Sequence, residues 1–571
     1  MTLAATSLLE QVSLDAPWEL TEAFSRQPRW RPADVNRGAD MIVERLKALG
    51  VPVTVHEPEI YLSIPFEAAV KAGGRTMRAK PPAYSVSVPD GITAEIAYVP
   101  AQYSKSIGTL FDKNAQDASP ESLGGRIVVS EGFAFPQKIR EFEERGAVGV
   151  IAVNPGVDIH WGICTSIWGT PDLDDLPRKP KIAVAAVNNP DGRELIKLAG
   201  TGEKVTLTTR LEEGWYRQKL PVVEIRGTDE PEKFVLLHGH YDSWDVGVGD
   251  NATGDATLLE IARVLAQQAK RFKRSVRIAW WPGHSTGRYA GSTWFADAFA
   301  IDLDENCVAQ INCDSPGCRW ATVFKDVSWT KESEAYAQRT IKAVTGLDAQ
   351  GERPHRAGDY SFNNIGISSL LMLSSTMPDE LREEKGYYTV GGCGGNIAWH
   401  TENDVMDIAD RDIMLRDVKV YLAVTAGIAD ADVLPFDWRD QVAEFSETLD
   451  RYHAAAGGLF DLTPAKEACA SLARTLNAFY AETEAGRLEA GRANAVIQRL
   501  ARILVPINYT RMARFRHDPA TPIPPLPTVA LAADLNGMAS ETLGFARTQL
   551  VRGQNRLVAA LREAERLAAS R

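Results

Sequence analysis

The stretch His238-Gly239-His240-Tyr241-Asp242-Ser243-Trp244, followed shortly by Gly249-Asp250-Asn251-Ala252-Thr253-Gly254, decides how this chain is read. It comes directly after Phe234-Val235-Leu236-Leu237, a continuous apolar run that reads as a buried strand. It leads into Ala256 to Gln267, where apolar residues recur at helical spacing. A polar, glycine-rich segment between a buried strand and a helix lies at the carboxyl edge of an open α/β sheet, where such sheets bind ligands. Side chains one residue apart on a strand point the same way. The Asp242 carboxylate is thus placed to fix the His240 imidazole in one tautomer and present its other nitrogen to a metal. Asp250, on the glycine-rich turn, reaches the same point.

Outward from this stretch the strand–helix alternation continues. Val276 to Trp281, Val308 to Asn312 and Ser369 to Met372 read as further strands. Such alternation predicts an α/β fold, a mixed central sheet with helices on both faces. Toward the N-terminus, Leu8 to Gly50 reads as helical, with Asn36 to Leu49 amphipathic and Gly50 a helix stop, and Val51 to Val55 reads as a short strand. From Glu57 to Leu211 the texture is short strands and turns: Gly124 to Ser130, then a charged helix from Lys138 to Arg145, then a buried strand in Gly146 to Asn154. After Pro435 the pattern is almost wholly helical, punctuated at Pro519 to Pro527.

A chain of 571 residues is too long for a single core. Its net charge of −12 offers no basic surface of the kind phosphate backbones require, which argues against nucleic acid as a partner. No uninterrupted apolar run of about 18 residues occurs, so no membrane partner is expected. Met1 to Thr6 lacks the basic start and apolar run of a signal peptide. The six cysteines lack paired spacing, which fits reduced thiols and a cytoplasmic location.

An isolated His-x-Asp is more often structural than catalytic, but here the pattern recurs. Asp314 ends another predicted strand, in Ile311-Asn312-Cys313-Asp314-Ser315, and His400 lies in Trp399-His400-Thr401-Glu402-Asn403-Asp404. Candidate ligands at several strand ends are what a carboxylate–imidazole metal site needs. The order of these motifs resembles the zinc exopeptidases of the glutamate carboxypeptidase and transferrin receptor type. Gly291-Ser292-Thr293-Trp294-Phe295-Ala296 and the segment from Gly358-Asp359-Tyr360-Ser361 to Ile367 are similar to two further family segments. Leu504 to His517 is similar to part of the family's helical dimerisation domain. The resemblance implies a catalytic domain from residues 1–58 and 212–435, an inserted β-rich protease-associated domain at 59–211, and a C-terminal helical dimerisation domain at 436–571. Carried over residue by residue, His240 and Asp314 bind one divalent metal, His400 a second, and Asp250 bridges both. Zinc is the expected metal, as one ion or two.

The family's Glu-Glu pair is missing. The corresponding stretch, Trp281-Pro282-Gly283-His284-Ser285-Thr286-Gly287-Arg288-Tyr289, holds no carboxylate. Aligned without gaps the pair falls on Ser285 and Thr286; with a small insertion His284 takes the place of the base or of the ligand. Both roles suit imidazole, which titrates near neutrality and binds transition metals. Arg288 and Tyr289 are candidate substrate-binding residues, with Arg288 equally readable as a surface ion-pair residue. Cys313 and Cys318 read as packing, His238 as a core histidine, and Cys393 as part of a glycine-rich loop near the ligand.

The expected function is metal-dependent hydrolysis of an amide or peptide-like bond in a small molecule or short peptide, by a homodimer. The alternatives are a different metal-assisted reaction such as lyase-type cleavage, or a catalytically silent dimeric binding protein.

Overall fold

The computed structural model describes residues 7–110, 123–268 and 271–570; Met1 to Thr6, read above for a leader, lies outside them. The central sheet has six strands, in the spatial order Thr54–His56, Leu220–Ile225, Arg274–Trp281, Glu230–His240, Cys307–Asn312 and Ser369–Leu370. The Glu230–His240 strand runs parallel to both its neighbours, and the first two strands of the order are joined antiparallel, so the sheet is mixed as expected. The pairing runs from Val235 with Val276 to His240 with Trp281. Two strands therefore release their carboxyl-terminal loops at one level of one edge.

The continuous apolar run has a simple cause. Val235 and Leu237 pack into a core with Ile42, Leu46, Leu258, Ile261 and Leu422, from helices Pro32–Ala48, Thr253–Gln267 and Arg411–Asp430. Phe234 and Leu236 face the other way and pack with Trp281, Phe295, Leu303 and Ile365. Each face of the strand is covered, and burial of each large side chain stabilises by roughly 1.5–3 kcal/mol.

A second sheet of seven strands is built from residues 59–217, with Ile127–Glu131 and Gly149–Val153 parallel neighbours. The helix expected at Lys138 to Arg145 spans Pro136–Glu144, with proline at its first turn. The strand Lys204–Arg217 pairs with Glu59–Ala72 as far as Glu59 with Arg217, so it continues past residue 211. The C-terminal region is helical, with long helices Trp438–Ala456, Thr463–Glu484, Ala490–Tyr509 and Ser540–Ala569. Arg502 fastens it to the sheet by donating to the carbonyls of Leu303, Asp304, Cys307 and Gly366. Among the described residues, no helix is long and apolar enough to cross a membrane. All six cysteines are buried and unbridged.

Candidate metal centre

The site begins with a close approach. His240 ends one strand, and Asp314 follows the end of the next. Gly239 lets them meet: a Cβ there would lie 2.6 Å from the Cys313 carbonyl oxygen. Asn251 clasps the two ends, its Nδ2 donating to the carbonyls of His240 at 3.2 Å and Cys313 at 2.9 Å, while its Oδ1 accepts the Ser315 N–H at 3.0 Å. The neighbouring residue, Asp250, stands between two imidazoles. Its Oδ1 is 3.1 Å from His240 Nε2 and its Oδ2 is 3.0 Å from His400 Nε2. Asp314 Oδ2 is 3.6 Å from the same His240 nitrogen.

His284 joins this group. Its ring lies against that of His240, with centroids 3.7 Å apart and planes 16° from parallel. Donor atoms of His240, His284 and Asp314 all lie within 4.8 Å of one another. Each histidine is anchored through Nδ1: His240 to the Asp242 carbonyl at 2.8 Å, His400 to the Trp161 carbonyl at 3.0 Å, and His284 to Asp359 Oδ2 at 2.8 Å. A carbonyl can only accept, so Nδ1 of His240 and of His400 carries a hydrogen and Nε2 is the nitrogen left for a ligand. His240 Nε2 is buried without a well-directed hydrogen bond, although carboxylates flank it. That is the geometry of a donor aimed at a common point between its neighbours, and imidazole with carboxylate is a donor set that fits zinc.

The electrostatics agree. Burial disfavours a charged His240, but Asp250 and Asp314 outweigh it and push its imidazolium well above the ordinary range. Burial likewise raises the Asp250 carboxyl, yet contact with His240 and His400 brings it well below the usual range. Such a field favours positive charge at the centre, as protons or as a divalent cation.

One expectation needs correcting. The Asp242 carboxylate does not hold the His240 ring; the Asp242 main-chain carbonyl does. The strand ends at His240, so the rule that alternate side chains point alike no longer holds at Asp242. Its carboxylate instead accepts the N–H groups of His284 at 2.9 Å and Ser285 at 3.0 Å, shaping the loop that carries His284. Ser285 and Thr286, on which the gapless alignment puts the family's pair, are buried and do not line the cleft, whereas His284 does.

Residues 222–425 match the model of Peptidase family M28. This segment resembles an M28 peptidase domain. Leucine aminopeptidase 2 of Arthroderma otae is 30% identical over 267 residues, covering 45% of this chain and 48% of that protein. A probable glutamate carboxypeptidase of Zea mays is 22% identical over 488 residues, covering 73% of this chain and 67% of that protein. The match thus spans about half the length of the first relative. Among solved structures, a zinc aminopeptidase from Bacillus subtilis superposes with a TM-score of 0.52 at 17% identity, covering 75% of this chain and 96% of that one. An M28 peptidase precursor from Shewanella amazonensis gives 0.54 at 18% identity, covering 75% and 97%. These likenesses show the fold, and the zinc exopeptidase resemblance drawn from motif order is borne out.

The matched segment does not form its cleft alone. Phe133, Phe135 and Trp161, from the seven-stranded-sheet region, wall it beside Asp250, His284, Asp314 and His400. Arg288 and Tyr289 also line it. Arg288 is 5% exposed, which removes the reading of it as a surface residue. The Tyr289 hydroxyl accepts the Gly358 N–H at 2.8 Å. His238 is a core histidine against Gln310, and Cys313, Cys318 and Cys393 are buried, their thiols pushed up by burial. Three residues of the site had no role assigned from sequence: Asn251, Asp359 and Asp404. All three lie in the quoted motifs, but their spacing alone carries no sign of what each one touches.

Proposed function

We propose that this chain is a metal-dependent hydrolase of an amide or peptide-like bond in a small substrate. The observation that carries the reading is Asp250 set between His240 Nε2 and His400 Nε2, at 3.1 and 3.0 Å, with Asp314 and His284 beside it in the segment that matches Peptidase family M28. His240 and Asp314 would hold one ion, His400 a second, and Asp250 would serve both. A bound divalent cation supplies polarisation of the carbonyl and a lowered pKa for water.

The chain's own part centres on His284. With Nδ1 anchored on Asp359, its Nε2 takes a proton from water and returns it to the leaving amine. Asp359 is suited to support the charged ring. Burial raises its carboxyl, but His284 and the Ser292 hydroxyl at 2.6 Å more than offset this, leaving it ionised below its ordinary range. Arg288 and Tyr289 position the substrate from the cleft wall. A second reading, His284 as a metal ligand, is favoured by its donor atom lying within 4.8 Å of those of His240 and Asp314.

The test is to strip the protein with a chelator, restore zinc, and screen dipeptides and aminoacyl amides. Zinc-dependent hydrolysis supports the proposal; full zinc occupancy with no turnover of any amide refutes it.

The homodimer remains part of this proposal. The 30-residue helix Ser540–Ala569 leaves Phe545 80% exposed, an apolar side chain available to a second copy. Sedimentation at micromolar concentration should show a dimer, and a monomer throughout would remove it.

A further inference from the structure

The turn that carries His400 is held from outside the segment that matches the family. Trp399 to Glu402 belong to no helix or strand, and His400 takes a left-handed backbone conformation, φ 57°, which is unfavourable for a residue with a Cβ. Such a turn keeps its shape only where its surroundings fix it.

The surroundings are residues of the seven-stranded-sheet region. His160 and Trp161 lie between its strands Gly149–Val153 and Ala183–Val187. His160 Nδ1 is 2.6 Å from the Trp399 carbonyl oxygen. The Trp161 N–H donates to the His400 carbonyl at 2.8 Å, and the Trp161 carbonyl accepts from His400 Nδ1 at 3.0 Å. Two consecutive residues of one region thus clasp two consecutive residues of the other by three hydrogen bonds. Beyond them, buried Lys80 and exposed Arg78 pair with the two oxygens of Glu402, at 2.5 and 2.7 Å.

His160 is itself fixed. It is buried, and its N–H donates to Asn154 Oδ1 at 2.8 Å. The Trp399 carbonyl can only accept, so Nδ1 of His160 carries the hydrogen and Nε2 accepts from the Tyr388 hydroxyl at 2.7 Å. The contact reaches the metal centre in one step. The Trp399 ring stacks on that of His400, with centroids 3.8 Å apart and planes 18° from parallel. Any shift of Trp399 therefore moves the ring whose Nε2 stands 3.0 Å from Asp250.

We propose that His160 is a positioning residue for His400: its Nδ1–H, held on the Trp399 carbonyl, keeps the turn in shape, so that uptake of the ion assigned to His400 depends on the seven-stranded-sheet region staying docked. The role of His400 as a ligand rests on the metal-centre reading above, whereas the clasp stands on the hydrogen bonds themselves.

Calorimetric zinc titration of the metal-free full chain tests it, with amide hydrogen exchange followed on the same samples. Wild type should take up two ions. His160→Leu, which loses both ring nitrogens, should weaken the second about 10–100-fold, the usual cost of removing a group that orients a ligand, and leave the first unchanged. His160→Asn, whose amide nitrogen can replace Nδ1 as donor, should keep most of the affinity; a space-filling role would rank the two variants the other way. Tyr388→Phe, which releases His160 Nε2, should act in the same direction as His160→Leu and more weakly, and it serves where His160→Leu fails to fold. In wild type, zinc should slow exchange of the Trp161 N–H, since a clasp that favours the ion must be favoured by it. The proposal is overturned if wild type takes up no second ion, if folded His160→Leu binds both ions as wild type does, if His160→Asn loses as much as His160→Leu, or if zinc leaves Trp161 exchange unchanged. Uptake of two ions without turnover of any amide would sink the hydrolase reading and leave the clasp. Zinc-dependent turnover with unaltered zinc binding in His160→Leu would do the reverse.

Discussion

Asp404 Oδ2 accepts the main-chain N–H of Asp250 at 3.0 Å, while its other oxygen accepts that of Gly249 at 2.7 Å. The carboxylate that shares two histidines is therefore aimed by a second carboxylate gripping its backbone. Asp404→Ala should free this turn and lower zinc affinity about 10–100-fold, the usual cost of losing a partner that orients a ligand. Zinc titration checks it, and wild-type affinity would show that the turn holds itself.

Gly239 sets the distance between the two strand ends. An added methyl group would lie 2.6 Å from the Cys313 carbonyl oxygen and 3.3 Å from Asn251 Nδ2. A main-chain carbonyl cannot swing aside as a side-chain tip can. Gly239→Ala should destabilise the fold by about 1–3 kcal/mol and weaken zinc binding as His240 and Asp314 move apart. Urea unfolding and zinc titration of the same sample measure both effects.

Away from the site, Glu332 should shape the pH dependence of stability. It is buried; one oxygen accepts the Thr330 hydroxyl at 2.7 Å and the other has no partner. Burial is the main cause that raises its carboxyl from 4.5 to about 7. A raised carboxyl binds its proton more tightly in the folded state. Its contribution is thus complete below the unfolded value of 4.5 and is lost as pH rises through about 7. The loss is on the order of 3 kcal/mol. Glu332→Gln abolishes the titration, so wild type should lose stability relative to the variant between about pH 5 and pH 8. Urea midpoints that run parallel for the two proteins would contradict this.

Much of this was legible in the sequence because the central strands are buried on both faces. A run such as Phe234 to Leu237 has no polar position to confuse its period. The ligand candidates were legible because each follows such a run or lies in a motif with glycine or histidine at fixed spacing. The orienting contacts were not. Asp242 misled because the strand stops at His240, a boundary that alternation cannot locate. Asp359 is 75 residues from His284, and Asp404 is 155 from Gly249; across such gaps only the packed topology decides what meets.

The central claim is that His284, steadied by Asp359, serves as the base beside a metal centre built on Asp250. It is tested most directly by measuring zinc content and amide turnover together in wild type, His284→Ala and Asp359→Asn. The account predicts that His284→Ala keeps its zinc and loses turnover by about 10²–10⁴-fold, the usual contribution of a general base, with Asp359→Asn partway between. Loss of one zinc in His284→Ala would move the histidine to the ligand role. Unchanged zinc and unchanged turnover would make it a packing residue and contradict the account.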